Sequence, residues 1–122
     1  MHVLIIDDDQ PTRDALSAVL EGEGHQVSQA ANGRDALDLL EHSALPDVVL
    51  LDMMMPVMTG WRFIEIVRSH PIFRALALVV ISAASDEWLE VTGARAIVRK
   101  PLNLDRLLRL LPELVPRPRH FP

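Results

Sequence analysis

The sequence predicts a three-layer α/β fold, with a parallel sheet between two layers of helices. Three observations carry that prediction. Residues 3–6, 48–51, 78–81 and 96–98 are apolar at every position, as strands covered on both faces of a parallel sheet require. Segments of helical spacing alternate with these runs, so that a strand–helix pair recurs five times. The chain has 122 residues, 49% of them apolar, which suits one domain with a substantial core.

The elements follow in order. Val3-Leu4-Ile5-Ile6 is the first strand and runs into Asp7. Leu16, Val19 and Leu20 make the stripe of a first helix, which Gly24 stops because glycine tolerates the left-handed conformation at helix ends. Residues 26–30 are more polar and suit an edge strand. Ala36, Leu37 and Leu40 mark the second helix, and Val48-Val49-Leu50-Leu51 the third strand. Phe63, Ile64 and Val67 mark the third helix, and residues 78–81 the fourth strand. Residues 86–92 predict a short helix with acidic residues in its first turn and Gly93 just past its end. After the last strand, Asn103 caps a helix carrying Leu104, Leu107, Leu108 and Leu111, which Pro112 is expected to end after about two to three turns. The domain is therefore expected over residues 1–111, followed by a loosely held proline-rich tail over 112–122.

Composition excludes several functions. Without cysteine there is no disulfide framework, thiolate zinc site or thiol nucleophile. The longest near-apolar run, residues 75–84, is far short of a bilayer span, and Met1-His2 opens no basic signal region. A cytoplasmic protein with no membrane role is expected. A net charge of −5 argues against nucleic acid as a direct partner. The charge is also uneven, with net −9 over residues 1–60 and +4 over 61–122. Of 12 basic residues, 11 are arginine and one, Lys100, is lysine.

The chemistry lies at the strand ends. Ligands bind open parallel sheets outside the carboxyl ends of their strands. Asp7 and Asp8 end the first strand, Asp52 the third, Ser82 the fourth and Lys100 the fifth. Converging carboxylates repel by roughly 4 kcal/mol per pair at about 4 Å and an effective dielectric near 20. Such a group persists with a raised pKa or with a cation. Oxygen ligands without histidine or cysteine point to Mg²⁺, which binds carboxylates together with phosphate oxygens. An ammonium and a hydroxyl on the same edge suit phosphoryl oxygens, so the site reads as one for Mg²⁺-assisted phosphoryl transfer with a carboxylate nucleophile.

Over residues 1–111 the sequence resembles the receiver domain of two-component response regulators. Asp7-Asp8 after the first strand matches that family's acidic pair. Asp47-Val48-Val49-Leu50-Leu51-Asp52-Met53-Met54-Met55-Pro56 with Gly60 resembles its phosphoacceptor loop, Ile81-Ser82-Ala83 its hydroxyl motif, and Lys100-Pro101 its lysine-proline pair. The resemblance implies a flavodoxin-like, doubly wound, five-stranded parallel sheet of order 2-1-3-4-5. It implies a stand-alone phosphorelay receiver, not an enzyme beyond catalysing its own phosphorylation and dephosphorylation. Asp52 would accept the phosphoryl group from a sensor histidine kinase or a histidine phosphotransfer protein. Asp8 and Asp52 would bind Mg²⁺ together with the Met54 carbonyl, and Asp7 would act largely through water. Ser82 and Lys100 would hold the phosphoryl group, and Lys100-Pro101 would be cis. Output would pass to a downstream protein target, with homodimerisation one arrangement open to it.

Other readings weigh less. Met53, Met54 and Met55 after a buried strand read as loop and core packing rather than a soft-metal site. Five scattered histidines share no ligand spacing. Trp61 reads as a packing residue, and Arg117 and Arg119 are too few for a nucleic-acid surface. Asp9 reads as a loop residue before a ligand. Three departures from the family stand out. Ile97 occupies the usual aromatic switch position, Ser82 to Lys100 spans only 18 residues, and Pro112 interrupts the last helix. Output is therefore expected to be unorthodox while the phosphorylation set is intact. Met54 and Ala84, at positions that tune hydrolysis in the family, are poor at orienting water and suggest a long-lived phosphoryl group. Two alternatives stay open. A haloacid-dehalogenase-like phosphohydrolase also uses a first-strand aspartate, but Pro11 stands where its motif wants threonine. A phosphorylation-independent adaptor would tend to have lost Asp8, Asp52, Ser82 or Lys100.

Overall fold

Runs without a polar residue have no face to give to water, and those at 3–6, 48–51 and 78–81 pair as interior strands, whereas the short run 96–98 forms the sheet's second edge and is only partly buried. The computed structural model describes residues 1–54, 57–82 and 93–114. Strands β1 (His2–Ile6), β2 (Gln26–Ala30), β3 (Val48–Asp52), β4 (Ala77–Ser82) and β5 (Ala96–Arg99) form one parallel sheet of order β2-β1-β3-β4-β5. Helices α1 (Gln10–Gly22), α2 (Gly33–His42), α3 (Gly60–Ser69) and α4 (Leu104–Leu114) cover it. Successive strand residues point to opposite faces. Leu4, Ile6, Val49, Leu51, Leu78 and Val80 therefore pack with Leu40, Phe63 and Val67 of α2 and α3. Val3, Ile5, Val48, Leu50, Val79 and Ile81 pack with Leu16, Leu20, Leu107 and Leu111 of α1 and α4. The polar strand β2 lies at an edge, as its composition requires.

Helix starts are capped by short polar side chains that accept from the otherwise free N–H groups of the first turn. Asp9 accepts from Thr12 N–H at 3.1 Å, Asn32 from Asp35 at 2.9 Å, Thr59 from Arg62 at 3.2 Å and Asn103 from Arg106 at 3.1 Å. Gly24, with φ +89°, lies just past α1 as expected.

Pro112 does not end the last helix, which runs through it to Leu114. Proline removes one N–H and crowds the preceding turn. Against that, Leu107, Leu111 and Leu114 are buried on one stripe, and Arg95 Nη1 donates to the Leu114 carbonyl at 2.9 Å. Residues 112–114 thus belong to the helix and not to a tail. The helix expected over 86–92 and the rest of the expected tail lie outside the described residues. Among those described, no helix is long and apolar enough to cross a membrane.

One clamp has no signature in the local sequence. Arg68, near the end of α3, donates to the carbonyls of Arg74 and Gly93, each at 2.8 Å, and so ties a 3-10 turn (Phe73–Ala75) to the approach to β5. Burial pushes the pKa of its guanidinium down, aided by nearby Arg95. Arg68→Met keeps the aliphatic stem but leaves these exposed carbonyls to water. A loss of about 0.5–1.5 kcal/mol is expected in urea unfolding.

Candidate functional site

The strand ladders carry the polar groups to one edge. Asp7 N–H extends the β1–β2 pairing to Ala30 C=O at 3.2 Å, Met53 N–H that of β3 to Ile81 C=O at 3.2 Å, and Lys100 N–H that of β5 to Ser82 C=O at 3.0 Å. Asp7, Asp8 and Asp52 each bring one carboxylate oxygen within 4.8 Å of the others. Asp7 is 5% exposed and Asp52 3%, whereas Asp8 is open to solvent. Lys100 Nζ lies 3.5 Å from Asp52 Oδ1 and forms the one ion pair to this cluster among the described residues. Ser82 is buried at the end of β4, one residue beyond the partner of Asp52 in the ladder. The Lys100–Pro101 peptide is cis, as the resemblance implied.

Electrostatics follow from this crowding. Burial pushes the Asp7 pKa up, and the charges of Asp52 and Asp8 add to that. The Asp9 N–H bond, at 2.9 Å to Asp7 Oδ1, and the Lys100 charge oppose it. Met54 N–H donates to Asp52 Oδ1 at 3.1 Å, the same oxygen that faces Lys100. Among the described residues, both donors to Asp52 fall on Oδ1 and leave Oδ2 unengaged. Three carboxylates sharing one ammonium carry excess negative charge, and their oxygens converge closely enough to share a small hard cation. The donor set therefore fits Mg²⁺.

Asp9 is placed outside this cluster. Its carboxylate accepts from both the N–H and the hydroxyl of Thr12, which pushes its pKa down, so it is a helix cap. Met53 is buried, as expected of core packing, while the Met54 side chain is 76% exposed. Met55, Ala83 and Ala84 lie outside the described residues. Ile97 is partly buried against the α2–α3 side of the core and, with Arg99, Asn103 and Arg106, lines a cavity of about 230 Å³. Trp61 corrects the packing expectation. It is 41% exposed, because the stripe Phe63, Ile64, Val67 faces the core and leaves Trp61 and Arg62 toward solvent. Among the described residues no histidine joins a metal-binding group.

Two loop residues have opposite fits. A Cβ on Gly60 would lie 2.8 Å from Met53 Cα, so only glycine lets α3 start against the end of β3. Val57 has φ 67°, a left-handed conformation unfavourable for a β-branched residue. Val57→Gly should therefore stabilise by about 1 kcal/mol, read as a higher melting temperature, since relieved strain exceeds the added chain entropy.

A contact at the site that the sequence did not disclose is made by Arg13, whose guanidinium donates to the main-chain carbonyl of Asp7 at 2.7 Å. Its signal was its isolation, as one of only two basic residues among the first sixty.

Comparison with known proteins gives a consistent result. The family model described as response regulator receiver domain matches residues 3–112. Protein PilH of Pseudomonas aeruginosa is 32% identical over 114 residues, covering 90% of this chain and 93% of that protein. Sporulation initiation phosphotransferase F of Bacillus subtilis is 34% identical over 119 residues, covering 93% of each. Among solved structures, chemotaxis protein CheY4 of Vibrio cholerae superposes with a TM-score of 0.85 at 30% identity, over 93% of this chain and 98% of that one.

Proposed function

The chain belongs to the response regulator receiver domain family, a family of phosphorylation-based signalling proteins rather than metabolic enzymes, and from that premise we propose that it accepts a phosphoryl group on Asp52 in a Mg²⁺-dependent reaction. Family membership sets aside the phosphohydrolase alternative. The observation that best supports the reading is the state of Asp52. Its Oδ1 is held by Met54 N–H and faces Lys100, while Oδ2 of this buried carboxylate takes no donor among the described residues.

Asp7, Asp8 and Asp52, with the Met54 carbonyl, would hold the cation. Bound there, Mg²⁺ supplies charge neutralisation to carboxylates and phosphoryl oxygens that would otherwise repel. The chain's own groups do the rest. Asp52 Oδ2 attacks the phosphorus of a phosphohistidine on a sensor kinase or phosphotransfer protein; the new O–P bond forms as the N–P bond breaks, and the histidine leaves with the electron pair. The Lys100 ammonium orients Asp52 and then pairs with a phosphoryl oxygen, and the Ser82 hydroxyl bonds to another. The receiver unit, with its last helix running to Leu114, would act in the cytoplasm, with output through a downstream protein target or a homodimer. Ile97, without an aromatic ring, makes the usual aromatic switch inoperable as such.

Incubation with Mg²⁺ and acetyl phosphate, followed by intact mass, tests this reading. A labile adduct of one phosphoryl group is expected. It should require Mg²⁺ and vanish in Asp52→Asn. Mg²⁺ should also raise the wild-type melting temperature by binding the folded state. An adduct that persists in Asp52→Asn would move the phosphoacceptor to another residue, and the absence of both an adduct and any Mg²⁺ effect would overturn the assignment and favour a phosphorylation-independent adaptor.

A further inference from the structure

The acidic loop between β1 and α1 has to hold two carboxylates, Asp7 and Asp8, toward a third that repels them. Within the loop the Asp9 N–H holds Asp7 Oδ1 at 2.9 Å, and further support comes from the first turn of α1. Arg13 N–H donates to Asp9 C=O at 3.0 Å. The side chain of the same residue reaches back along the loop, and its Nη1 donates to Asp7 C=O at 2.7 Å. Its Nε donates to Gln29 Oε1 on β2 at 3.2 Å, and Gln29 Nε2 in turn donates to the buried Ser17 hydroxyl of α1 at 2.7 Å. With the Asp7 N–H already bonded to Ala30 C=O, both main-chain polar groups of Asp7 are anchored. Arg13 thus spans the loop from both sides and fastens it to the neighbouring strand.

The form of this contact is informative. An arginine beside three carboxylates has an obvious partner in any of them, and such a pair would compete with a cation for its ligand oxygens. Arg13 makes no ion pair with Asp7, Asp8 or Asp52 among the described residues. It uses main-chain and amide oxygens instead, which leaves the carboxylate oxygens available. The planar guanidinium satisfies two acceptors in fixed directions at once, a geometry that an ammonium does not reproduce.

We propose that Arg13 is a positioning residue for the divalent cation site, setting Mg²⁺ affinity through the Asp7 main chain and Gln29 rather than through its charge. The proposal rests on the Mg²⁺ reading of the acidic cluster. Groups that orient metal ligands from behind typically change affinity by about 10–100-fold when removed. Here the two possible roles have opposite signs. If Arg13 acted only as a nearby cation, removing it would tighten Mg²⁺ binding by relieving repulsion. If it positions the loop, removing it loosens binding.

The experiment is a calorimetric titration of the full chain with MgCl₂, with Arg13→Met, Arg13→Lys and Gln29→Leu beside wild type, and melting temperatures in EDTA. Arg13→Met should bind Mg²⁺ at least about tenfold more weakly. Arg13→Lys, which keeps the charge but loses the fork, should show a similar loss, and Gln29→Leu a smaller one in the same direction. At saturating Mg²⁺ the rate of adduct formation should return to near the wild-type value, placing the defect in cation affinity. Unchanged or tighter binding in Arg13→Met, or wild-type affinity in Arg13→Lys, would overturn the proposal. Should Arg13→Met fail to fold, unchanged affinity in Gln29→Leu has the same consequence. A wild-type protein that binds no Mg²⁺ would instead overturn the underlying reading of the site.

Discussion

Lys100→Met is expected to slow Mg²⁺-dependent phosphorylation of Asp52 by about 10²–10³-fold, the usual consequence of removing one preorganised group that stabilises transition-state charge. Lys100 Nζ is the single cation paired to the acidic cluster among the described residues, 3.5 Å from Asp52 Oδ1. Its position is set by the fifth strand, whose pairing with Ser82 C=O continues through the Lys100 N–H. Lys100→Arg should rescue only part of the rate, because a planar guanidinium is bulkier and directs its donors differently. The check is a time course of intact mass at saturating Mg²⁺ and acetyl phosphate. A wild-type rate in Lys100→Met would remove the lysine from the proposed chemistry. In Mg²⁺-free buffer the same substitution should lower the melting temperature, since it leaves buried Asp52 without its counter-charge.

Asp7→Asn should have two effects of opposite sign. Mg²⁺ binding should weaken by about 10–100-fold through loss of one ligand charge or its water-mediated equivalent. Without Mg²⁺ the variant should be more stable than wild type at neutral pH, by about 0.5–2 kcal/mol, as is common when a functional-site charge is relieved. Asparagine keeps the acceptor for Asp9 N–H, so the comparison isolates the charge. The pH dependence follows from linkage. Burial and the Asp52 and Asp8 charges raise the Asp7 pKa in the folded chain. At a pH below the unfolded aspartate value of about 3.9, Asp7 is neutral in both states and the two proteins should be equally stable. As pH rises from the unfolded value toward the raised folded one, the unfolded chain ionises first and wild type falls behind; above the folded value the gap stays constant. Saturating Mg²⁺ should close the gap at neutral pH. Urea unfolding of both proteins across this range, with and without Mg²⁺, measures it. A gap that persists at low pH would show that the difference is not the Asp7 charge.

The parts of the molecule that could be read in advance share one property. Their information lies in contiguous residues. A run such as Val48-Val49-Leu50-Leu51 has no polar face and must be interior, and the polar β2 must lie at an edge. A carboxylate at the end of such a run must sit at the sheet's carboxyl edge, so Asp7, Asp52, Ser82 and Lys100 were identifiable from their places alone. The misreadings arose where distant residues decide. Pro112 is a helix breaker by its own chemistry, yet buried Leu111 and Leu114 and the reach of Arg95 keep α4 intact across it. Trp61 is apolar enough to be buried, but the register of α3 turns it outward.

Strand identity, the polar edge strand, the cap at Asn103, and the residue types of the acidic site were thus contained in the chain's linear pattern, because each depends on spacing and on neighbours a few positions away. Only the packed structure decided that Oδ1 rather than Oδ2 of Asp52 takes both donors, that Asp9 is a cap and not part of the acidic cluster, and that Arg13 holds the Asp7 carbonyl. These are questions of direction. A hydrogen bond is made or lost within tenths of an ångström, and such distances are set when helices and sheet lock together. The solitary lysine shows the division. Its place before Pro101 was visible at once, whereas the oxygen it faces was settled by the pairing of β5 with β4.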